Sequence, residues 1–432
     1  MAILKTLNQG KKRFFSLLKS EHSPVRVPFT ELQTAFWHRL DDKRLFISLP
    51  EVYNRYCHEP IQENKIVIVG NEERMFRNDF GYLYQYLKKH YDFEVHVHFL
   101  YRTVVMEPEY RKNCRRMLKD IATARCVFIS DTTESISCIS KRRGTDVVQL
   151  WHACGAFKRF GYSTADLLFG MTRQGLLRHP SHRNYTLACV SSPEVVWAFE
   201  EAMGLKDDGV IRPTGVSRTD IFFNDKRRSR AFRRLYEVFP GAKDKKVLFY
   251  APTFRGKVSE AAAPDRLDYT AFYESLGDEY VIVTKHHPFV KQTPPIPREL
   301  EGTFAIDITH DSPLTTEDMI FTADVCISDY SSLIYEYSLF LKPMVFFAYD
   351  IDDYNDWRGF FYDYDALTPG PVFTTNEDMI DYIAHIRDRF DKKEIEAFRD
   401  RFMSACDGHA TERILSTVLG EELLDKYRKK DL

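Results

Sequence analysis

The sequence predicts an α/β protein made of two Rossmann-like domains, whose parallel sheets face a cleft between them. Short apolar runs alternate with amphipathic stretches along most of the chain, which indicates parallel strands connected by helices. The 432 residues are too many for one ordinary core and favour two domains. The alternation restarts after a polar, basic stretch at 227–246. We therefore predict an extension at 1–60, domains at 61–240 and 241–400, and a C-terminal helix at 401–432.

The predicted strands of the first domain are short runs of apolar and β-branched residues. They are KIVIVG (65–70), FEVHVHFL (93–100), RCVFISD (125–131), DVVQLW (146–151) and TLACVSS (186–192). Helical spacing of apolar residues predicts helices at roughly 75–90 and near 107–123. A third helix is predicted at 193–204, because Pro193 suits the first turn of a helix and Gly204 suits its end.

The second domain repeats this pattern. Its predicted strands are KVLFYAP (246–252), YVIVTKHHP (280–288), ADVCISD (323–329) and PMVFFAYD (343–350). A helix is predicted at 330–341, between the last two strands. Further helices are predicted around 393–432, and their final segment LLDKYRKKDL has the composition of a solvated end.

Charge and cysteine content exclude several classes of protein. Lys and Arg number 61 against 63 Asp and Glu, and this balance argues against nucleic acid as a partner. The eight cysteines form no C-x-x-C pair, so we predict buried thiols in a reducing compartment, with no structural zinc and no cofactor. No apolar run approaches the ~18 residues that span a bilayer, and we expect no signal peptide.

The first 20 residues are basic and contain no acidic side chain. Apolar residues fall near one helical face of this segment, which is typical of a helix that lies on an anionic membrane surface. The alternatives are an ordinary helix packed on the body of the protein and a frayed terminus. The first interpretation predicts a peripheral protein at the cytoplasmic face of a bacterial membrane.

Polar side chains follow the predicted strands, where open α/β sheets bind their ligands. They are His152 after DVVQLW, Thr253 and Arg255 after KVLFYAP, His286 and His287 after YVIVTK, Asp329, Ser331 and Ser332 after ADVCIS, and Asp350, Asp352 and Asp353 after PMVFFAY. We expect these side chains to meet in one cleft.

Each of these signals has a structural alternative. Asp329, Ser331 and Ser332 could bind a phosphate at the start of a helix, or could simply cap that helix. The Arg255 guanidinium suits phosphate oxygens, or could be an ordinary surface arginine. The three acids at 350–353 are more typical of a solvated loop than of a metal site, and we predict no metal.

His152 and His287 are candidates for acid–base chemistry, although a single histidine is more often structural. His152 opens the segment WHACGAFK, in which Gly155 is expected to leave room for a ligand beside the ring and Lys158 to offset phosphate charge.

The order of these motifs resembles the CDP-glycerol:poly(glycerophosphate) glycerophosphotransferase family, which includes teichoic acid primases and polymerases. The matching stretches run from about 147 to 373: QLWHACGAFKRFG, VSSPEVVWAFEEAMG, GVSRTDIFF, VLFYAPTFRG, KHHPFV, ADVCISDYSSLIYEYSLFLKPMVFFAYD and RGFFYDYDALTPGPV. The resemblance implies a GT-B fold and transfer of glycerol phosphate from CDP-glycerol to a hydroxyl of a lipid-linked or polymeric acceptor, with release of CMP.

The resemblance also implies roles for particular residues. His152 is the expected base, and His287 is expected near the donor phosphates. Donor and phosphate binding fall to Thr253, Arg255, Asp329, Ser331, Ser332 and Lys158, and the further cleft candidates are Arg218, Asp220 and Glu336.

One departure leaves the substrate open. Many family members read WHGTPLK where this chain reads WHACGAFK, so the acceptor and the polyol both stay open, and CDP-ribitol is an alternative donor. A GT-B glycosyltransferase that uses a nucleotide sugar is a second hypothesis, and a non-catalytic binding module is a third. Convergence of polar groups on one cleft argues against the third.

Overall fold

The computed structural model describes residues 39–70, 80–101, 108–165, 167, 170, 172–206, 209–256, 260–352, 354 and 359–430. The basic segment at 1–20, Asp353 and part of the helix predicted at 75–90 lie outside these residues. Among the described residues, no helix has the length and apolar character needed to cross a membrane.

The first sheet has six parallel strands in the order β2-β1-β3-β4-β5-β6. Their bounds are β1 Gln62–Gly70, β2 Glu94–Phe99, β3 Ala124–Ile129, β4 Asp146–Gln149, β5 Leu187–Cys189 and β6 Ile211–Arg212. The last six residues of β1 are buried on both faces, as expected of a parallel strand covered by helices.

The second sheet also has six parallel strands, in the order β9-β8-β7-β10-β11-β12. Their bounds are β7 Lys246–Ala251, β8 Tyr280–Thr284, β9 Ala305–Asp307, β10 Val325–Ser328, β11 Met344–Phe347 and β12 Val372–Phe373. Renumbered within this half, the order is 3-2-1-4-5-6, which is typical of Rossmann folds. The predicted α/β architecture with two parallel sheets is therefore confirmed.

Helices cover both sheets. Those of the first half are α1 Leu49–Tyr56, α2 Gly81–His90, α3 Pro108–Ile121, α4 Glu134–Ser137, α5 Arg173–Arg178, α6 Val196–Met203 and α7 Asp225–Val238. Those that follow are α8 Tyr269–Leu276, α9 Thr316–Thr322, α10 Leu333–Ser338, α11 Tyr364–Leu367, α12 Asn376–Ala384, α13 Ile386–Arg389, α14 Lys392–Phe402, α15 Ala410–Leu419 and α16 Glu421–Tyr427. The helix predicted at 193–204 begins as a 3-10 turn and ends at Gly204, whose φ is +68°.

The C-terminal helices return to the first sheet. Ile414 and Leu415 of α15 belong to the same buried core as Ile66 and Ile68 of β1. Leu424 in the segment predicted to be solvated is buried, because α16 packs on the same face. The predicted domain limits stay predictions, and these contacts show that the end of the chain packs against the first half.

The segment 149–161 connects the two halves. Arg159 donates its backbone N–H to Gly359 O (3.1 Å), and Phe361 donates to Phe157 O (3.1 Å). Buried apolar side chains then continue from the first sheet into the second as one core. The residues around His152 are therefore held by both halves.

Candidate active site

Several of the predicted strand-end residues line two adjoining compartments of about 300 Å³ each. The histidine-rich compartment is lined by residues that include Arg218, Lys285, His286, Thr316 and Glu336. The aromatic compartment is lined by residues that include Trp151, Phe157, Lys158, Phe160, Phe199 and Phe254. Six residues line both compartments: His152, Ala153, Thr253, His287, Ser331 and Ser332.

His152 is held by a strained turn at the end of β4. Trp151 has a φ of +60°, which costs a residue other than glycine about 1–2 kcal/mol. The Trp151 backbone N–H donates to Gln149 Oε1 (3.0 Å), and its indole stacks on the His152 ring with centroids 4.5 Å apart. These contacts direct the imidazole, which is exposed, to the point where the compartments meet.

The hydrogen bonds of the two histidines assign opposite tautomers. His152 Nδ1 lies 2.9 Å from Ser130 O, and a carbonyl only accepts, so Nδ1 carries the proton and Nε2 of the neutral ring has a free lone pair. His287 Nδ1 accepts from the Phe289 backbone N–H (3.2 Å), so its neutral ring carries the proton on Nε2. The site therefore pairs a proton-accepting imidazole with a proton-donating one.

Arg218 binds the backbone of His152. Its Nη1 donates to His152 O (2.5 Å), and its Nη2 lies 3.4 Å from Glu317 Oε1 and 3.6 Å from Glu336 Oε1. Arg218 and Glu336 both line the histidine-rich compartment, as the sequence predicts for cleft residues. Glu336 is buried, and the nearby Arg218 guanidinium offsets the charge of its carboxylate.

Arg255 does not line either compartment, contrary to its predicted contact with the donor phosphates. Its Nε and Nη2 bind the two Asp350 oxygens (2.5 and 2.9 Å), and Nη2 also lies 3.1 Å from Asp329. Burial opposes the charge, but Asp329 and Asp350 raise the pKa of Arg255 above its usual value.

Asp329 lines neither compartment and is buried behind Thr253. Its carboxylate accepts from the Thr253 backbone N–H (2.9 Å), from Thr253 Oγ1 (3.0 Å) and from the Tyr330 backbone N–H (2.6 Å). These bonds fix Thr253, which lines both compartments. Asp329 is therefore a positioning residue in this structure.

Asp220 lies outside the cleft and caps α15. Its two oxygens accept from the backbone N–H groups of Ala410 (3.0 Å) and Thr411 (2.8 Å). Burial raises the pKa of Asp220, although the bonds to α15 oppose this shift. A carboxylate at a helix N-terminus binds unsatisfied N–H groups and is favoured by the helix dipole. The sequence prediction that Asp220 lies in the cleft is therefore wrong. Its carboxylate instead binds backbone N–H groups of a helix that begins 190 positions later.

Gly155 also differs from its expected role. With a φ of +63°, an added Cβ would lie 2.1 Å from Tyr335 Cζ, so this glycine admits the Tyr335 ring and leaves no room for a ligand there. Lys158 lines only the aromatic compartment, with Nζ 5.2 Å from the centroid of the Tyr354 ring.

A comparison with known protein families covers most of the chain. Residues 51–420 match the family described as CDP-Glycerol:Poly(glycerophosphate) glycerophosphotransferase. The chain belongs to this family. The resemblance inferred from the motifs is thus confirmed, and the match extends to β1, α2 and β2, where the motifs fit loosely.

Two relatives of this glycerophosphotransferase family member come from Bacillus spizizenii. The chain is 36% identical over 365 residues to a teichoic acid poly(ribitol-phosphate) polymerase, covering 83% of this chain and 57% of the relative. It is 32% identical over 367 residues to a teichoic acid ribitol-phosphate primase, covering 83% of this chain and 92% of the relative. The chain thus spans little more than half of the first relative and most of the second.

A solved structure has the same fold. The wall teichoic acid polymerase TagF aligns with a TM-score of 0.71 and 21% identity, over 90% of this chain and 97% of that chain. The predicted GT-B architecture is therefore confirmed for this family member. At this identity the likeness concerns the fold alone.

Two residues of the site were missed or undervalued in the sequence. Lys285 and His286 directly follow β8 and line the histidine-rich compartment, next to the predicted His287. Burial lowers the pKa of both side chains, although Glu317 opposes the shift at Lys285 and Asp307 opposes it at His286. The signal was available, because Lys285 directly follows the apolar run YVIVT. Among the described residues, no group of His, Cys, Asp and Glu has the arrangement of a metal site.

Proposed function

We propose that this chain transfers a polyol phosphate from a CDP-polyol to an acceptor hydroxyl and releases CMP. The observation that carries the proposal is the meeting of two compartments at His152 and His287, whose neutral rings have opposite tautomers. A transfer between two bulky substrates needs such a junction, with a proton acceptor and a hydrogen-bond donor at the reacting atoms.

In the proposed reaction, the acceptor oxygen attacks the β-phosphorus of the donor while its proton passes to His152 Nε2. A new P–O bond forms, and the bond from the β-phosphorus to the bridging oxygen breaks. CMP leaves with that oxygen and its electron pair. The Nε2–H of His287 and the hydroxyls of Ser331 and Ser332 donate to phosphate oxygens as charge is redistributed.

Ribitol phosphate is the unit that we propose. The sequence motifs alone favoured CDP-glycerol and left CDP-ribitol open. The ribitol-phosphate relatives are 36% and 32% identical to this chain, whereas a glycerol-phosphate primase of the same organism is 26% identical. The departure at WHACGAFK lies at the junction of the compartments and is consistent with a different polyol.

The donor is identified by a thermal-shift panel of CDP-ribitol, CDP-glycerol, CMP-sialic acid and several UDP-sugars, followed by a CMP-release assay. A ligand that binds only the folded state raises Tm with concentration. We expect stabilisation and CMP release with CDP-ribitol, and weaker effects with CDP-glycerol. Stabilisation by a sugar nucleotide, with both CDP-polyols silent, would instead support a glycosyltransferase.

We also propose that the protein works peripherally at the cytoplasmic face of a bacterial membrane, on a polyprenyl-linked or polymeric acceptor. The basic, acid-free residues 1–20 support this proposal. Removal of 1–20 should abolish binding to anionic vesicles, and binding by the full chain should weaken with salt. Salt-independent binding would contradict the electrostatic part of the proposal.

A further inference from the structure

The two compartments take most of their unshared lining residues from different halves of the molecule; Arg218 in the histidine-rich compartment and Phe254 in the aromatic compartment are the exceptions among the described residues. The histidine-rich compartment takes Phe249, Lys285, His286 and Glu336 from the second half. The aromatic compartment takes residues 151–158, Phe160 and Phe199 from the first half. Each therefore presents a different chemistry to the six residues that both share.

In-line displacement at phosphorus places the two substrates in different compartments. The attacking and leaving oxygens lie roughly opposite each other across the phosphorus. If the phosphorus sits at the shared residues, the leaving nucleotide occupies one compartment and the acceptor the other. The buried carboxylate of Glu336 and the polar ends of Lys285 and His286 suit a nucleotide with its ribose hydroxyls and phosphate. The aromatic compartment is left for the acceptor.

The lining of the aromatic compartment suits a hydroxylated chain that carries negative charge. Trp151, Phe157, Phe160 and Phe199 provide ring surface for the C–H groups of a polyol or sugar. Lys158 supplies a positive charge at the same wall. Among the described lining residues of this compartment, Lys158 is the one Lys or Arg, and a cation among aromatic rings matches a substrate with a phosphate among apolar and hydroxyl-bearing carbons.

The position of Lys158 is fixed by its neighbours. The backbone of Lys158 pairs with that of Phe360 in an antiparallel β-bridge. The backbone hydrogen bonds of Phe157 and Arg159 to residues 359–361 flank this bridge. Its Nζ lies 5.2 Å from the centroid of the Tyr354 ring, whose face stacks on Tyr330 at 4.1 Å. The ammonium is therefore presented from a segment held by both halves, six residues after His152.

We propose that the aromatic compartment binds the end of the acceptor, and that Lys158 binds the phosphodiester preceding the terminal polyol. The terminal hydroxyl then lies at His152, while the donor nucleotide occupies the histidine-rich compartment. This inference rests on the proposed function and moves Lys158 from the donor phosphates, where the sequence placed it, to the acceptor. It makes the enzyme selective for acceptors that already carry a polyol phosphate unit.

The test compares two soluble acceptors, a neutral glycoside and the same glycoside extended by one ribitol phosphate, with wild type and Lys158→Met. We expect KM for the phosphate-bearing acceptor to rise about tenfold in the variant, which corresponds to about 1.4 kcal/mol. KM for the neutral acceptor and for CDP-ribitol should not change. Lys158→Arg should recover most of the preference, because it keeps the charge.

Lys285→Met is the matched control, because it removes an equivalent charge from the other compartment. It should raise KM for the CDP-polyol and leave the preference between the two acceptors intact. If Lys158→Met raises the donor KM as Lys285→Met does, Lys158 faces the donor and the inference is wrong. An unchanged acceptor preference in Lys158→Met would overturn it as well.

A binding measurement separates this inference from the proposed function. Calorimetry with a soluble ribitol phosphate oligomer needs no turnover, and wild type should bind about tenfold more tightly than Lys158→Met. Lys158→Gln replaces the methionine variant if the latter has a lowered Tm. Wild type that releases no CMP from either CDP-polyol would contradict the proposed function. Equal oligomer binding by wild type and variant would contradict the inference alone.

Discussion

Replacing Gly155 with alanine tests how closely the segment 149–161 packs against the second half of the molecule. The added Cβ would lie 2.1 Å from Tyr335 Cζ and 2.3 Å from Cε1 and Cε2. The Tyr335 ring is fully buried, stacks on Phe398 at 5.2 Å and meets the edge of Phe402 at 5.5 Å, so these rings restrict its movement. We expect a cost of about 1–2 kcal/mol for the left-handed backbone and about 1–3 kcal/mol for overpacking.

Gly209→Ala is the matched control for this prediction. Gly209 has the same φ of +63° as Gly155, and nothing lies within 4 Å of its added Cβ. The control should therefore show the backbone cost alone, about 1–2 kcal/mol or less. Urea unfolding followed by tryptophan fluorescence should place Gly155→Ala about 1–3 kcal/mol below the control, with a similar m value.

If the two alanine variants unfold at the same urea concentration, an added Cβ at position 155 does not clash with Tyr335. A double variant adds a second check, because Gly155→Ala combined with Tyr335→Ala removes the clash. The combined loss should be smaller than the sum of the two single losses, since the two positions are in contact. An additive result would mean that Gly155 does not pack on Tyr335.

Two further predictions concern residues outside the reacting atoms. Asp220→Ala should cost about 1–2 kcal/mol of unfolding free energy, because the first N–H groups of α15 lose their acceptor. The KM values for donor and acceptor should stay unchanged. A raised KM with unchanged stability would mean that Asp220 contributes to the cleft. Burial lowers the pKa of His182 to about 4, so the unfolded chain binds its proton first as pH falls. The stability from neutral His182 is complete above about pH 6.5 and is lost toward pH 4. Wild type should lose about 2 kcal/mol more than His182→Gln between pH 7 and pH 5, and equal losses would contradict this burial.

Local patterns were sufficient to predict most strands and the polar residues that follow them. His152, His287, Thr253, Ser331 and Ser332 each follow an apolar run, and the parallel sheets bring all five together. The two- and three-residue strands β6, β9 and β12 were missed, because such short segments have no measurable period.

Long-range pairing could not be read from these patterns. Arg255 binds Asp350, 95 positions later, and this ion pair removes both from the roles that their strand-end positions suggested. The contact between Gly155 and Tyr335 is likewise visible only after folding, since a glycine after a strand fits both an open ligand site and a close contact. The residues that the sequence misplaced are those whose partners lie far along the chain.

The proposed chemistry is tested most directly by His152→Ala with CDP-ribitol and a phosphate-bearing acceptor. General base catalysis contributes about 10²–10⁴-fold, so CMP release and the phosphodiester product seen by ³¹P NMR should fall by about this factor. Donor affinity measured by calorimetry should stay within about twofold of wild type, because the loss concerns proton transfer in the transition state. Turnover near the wild-type rate with an intact phosphodiester product would remove His152 from the mechanism.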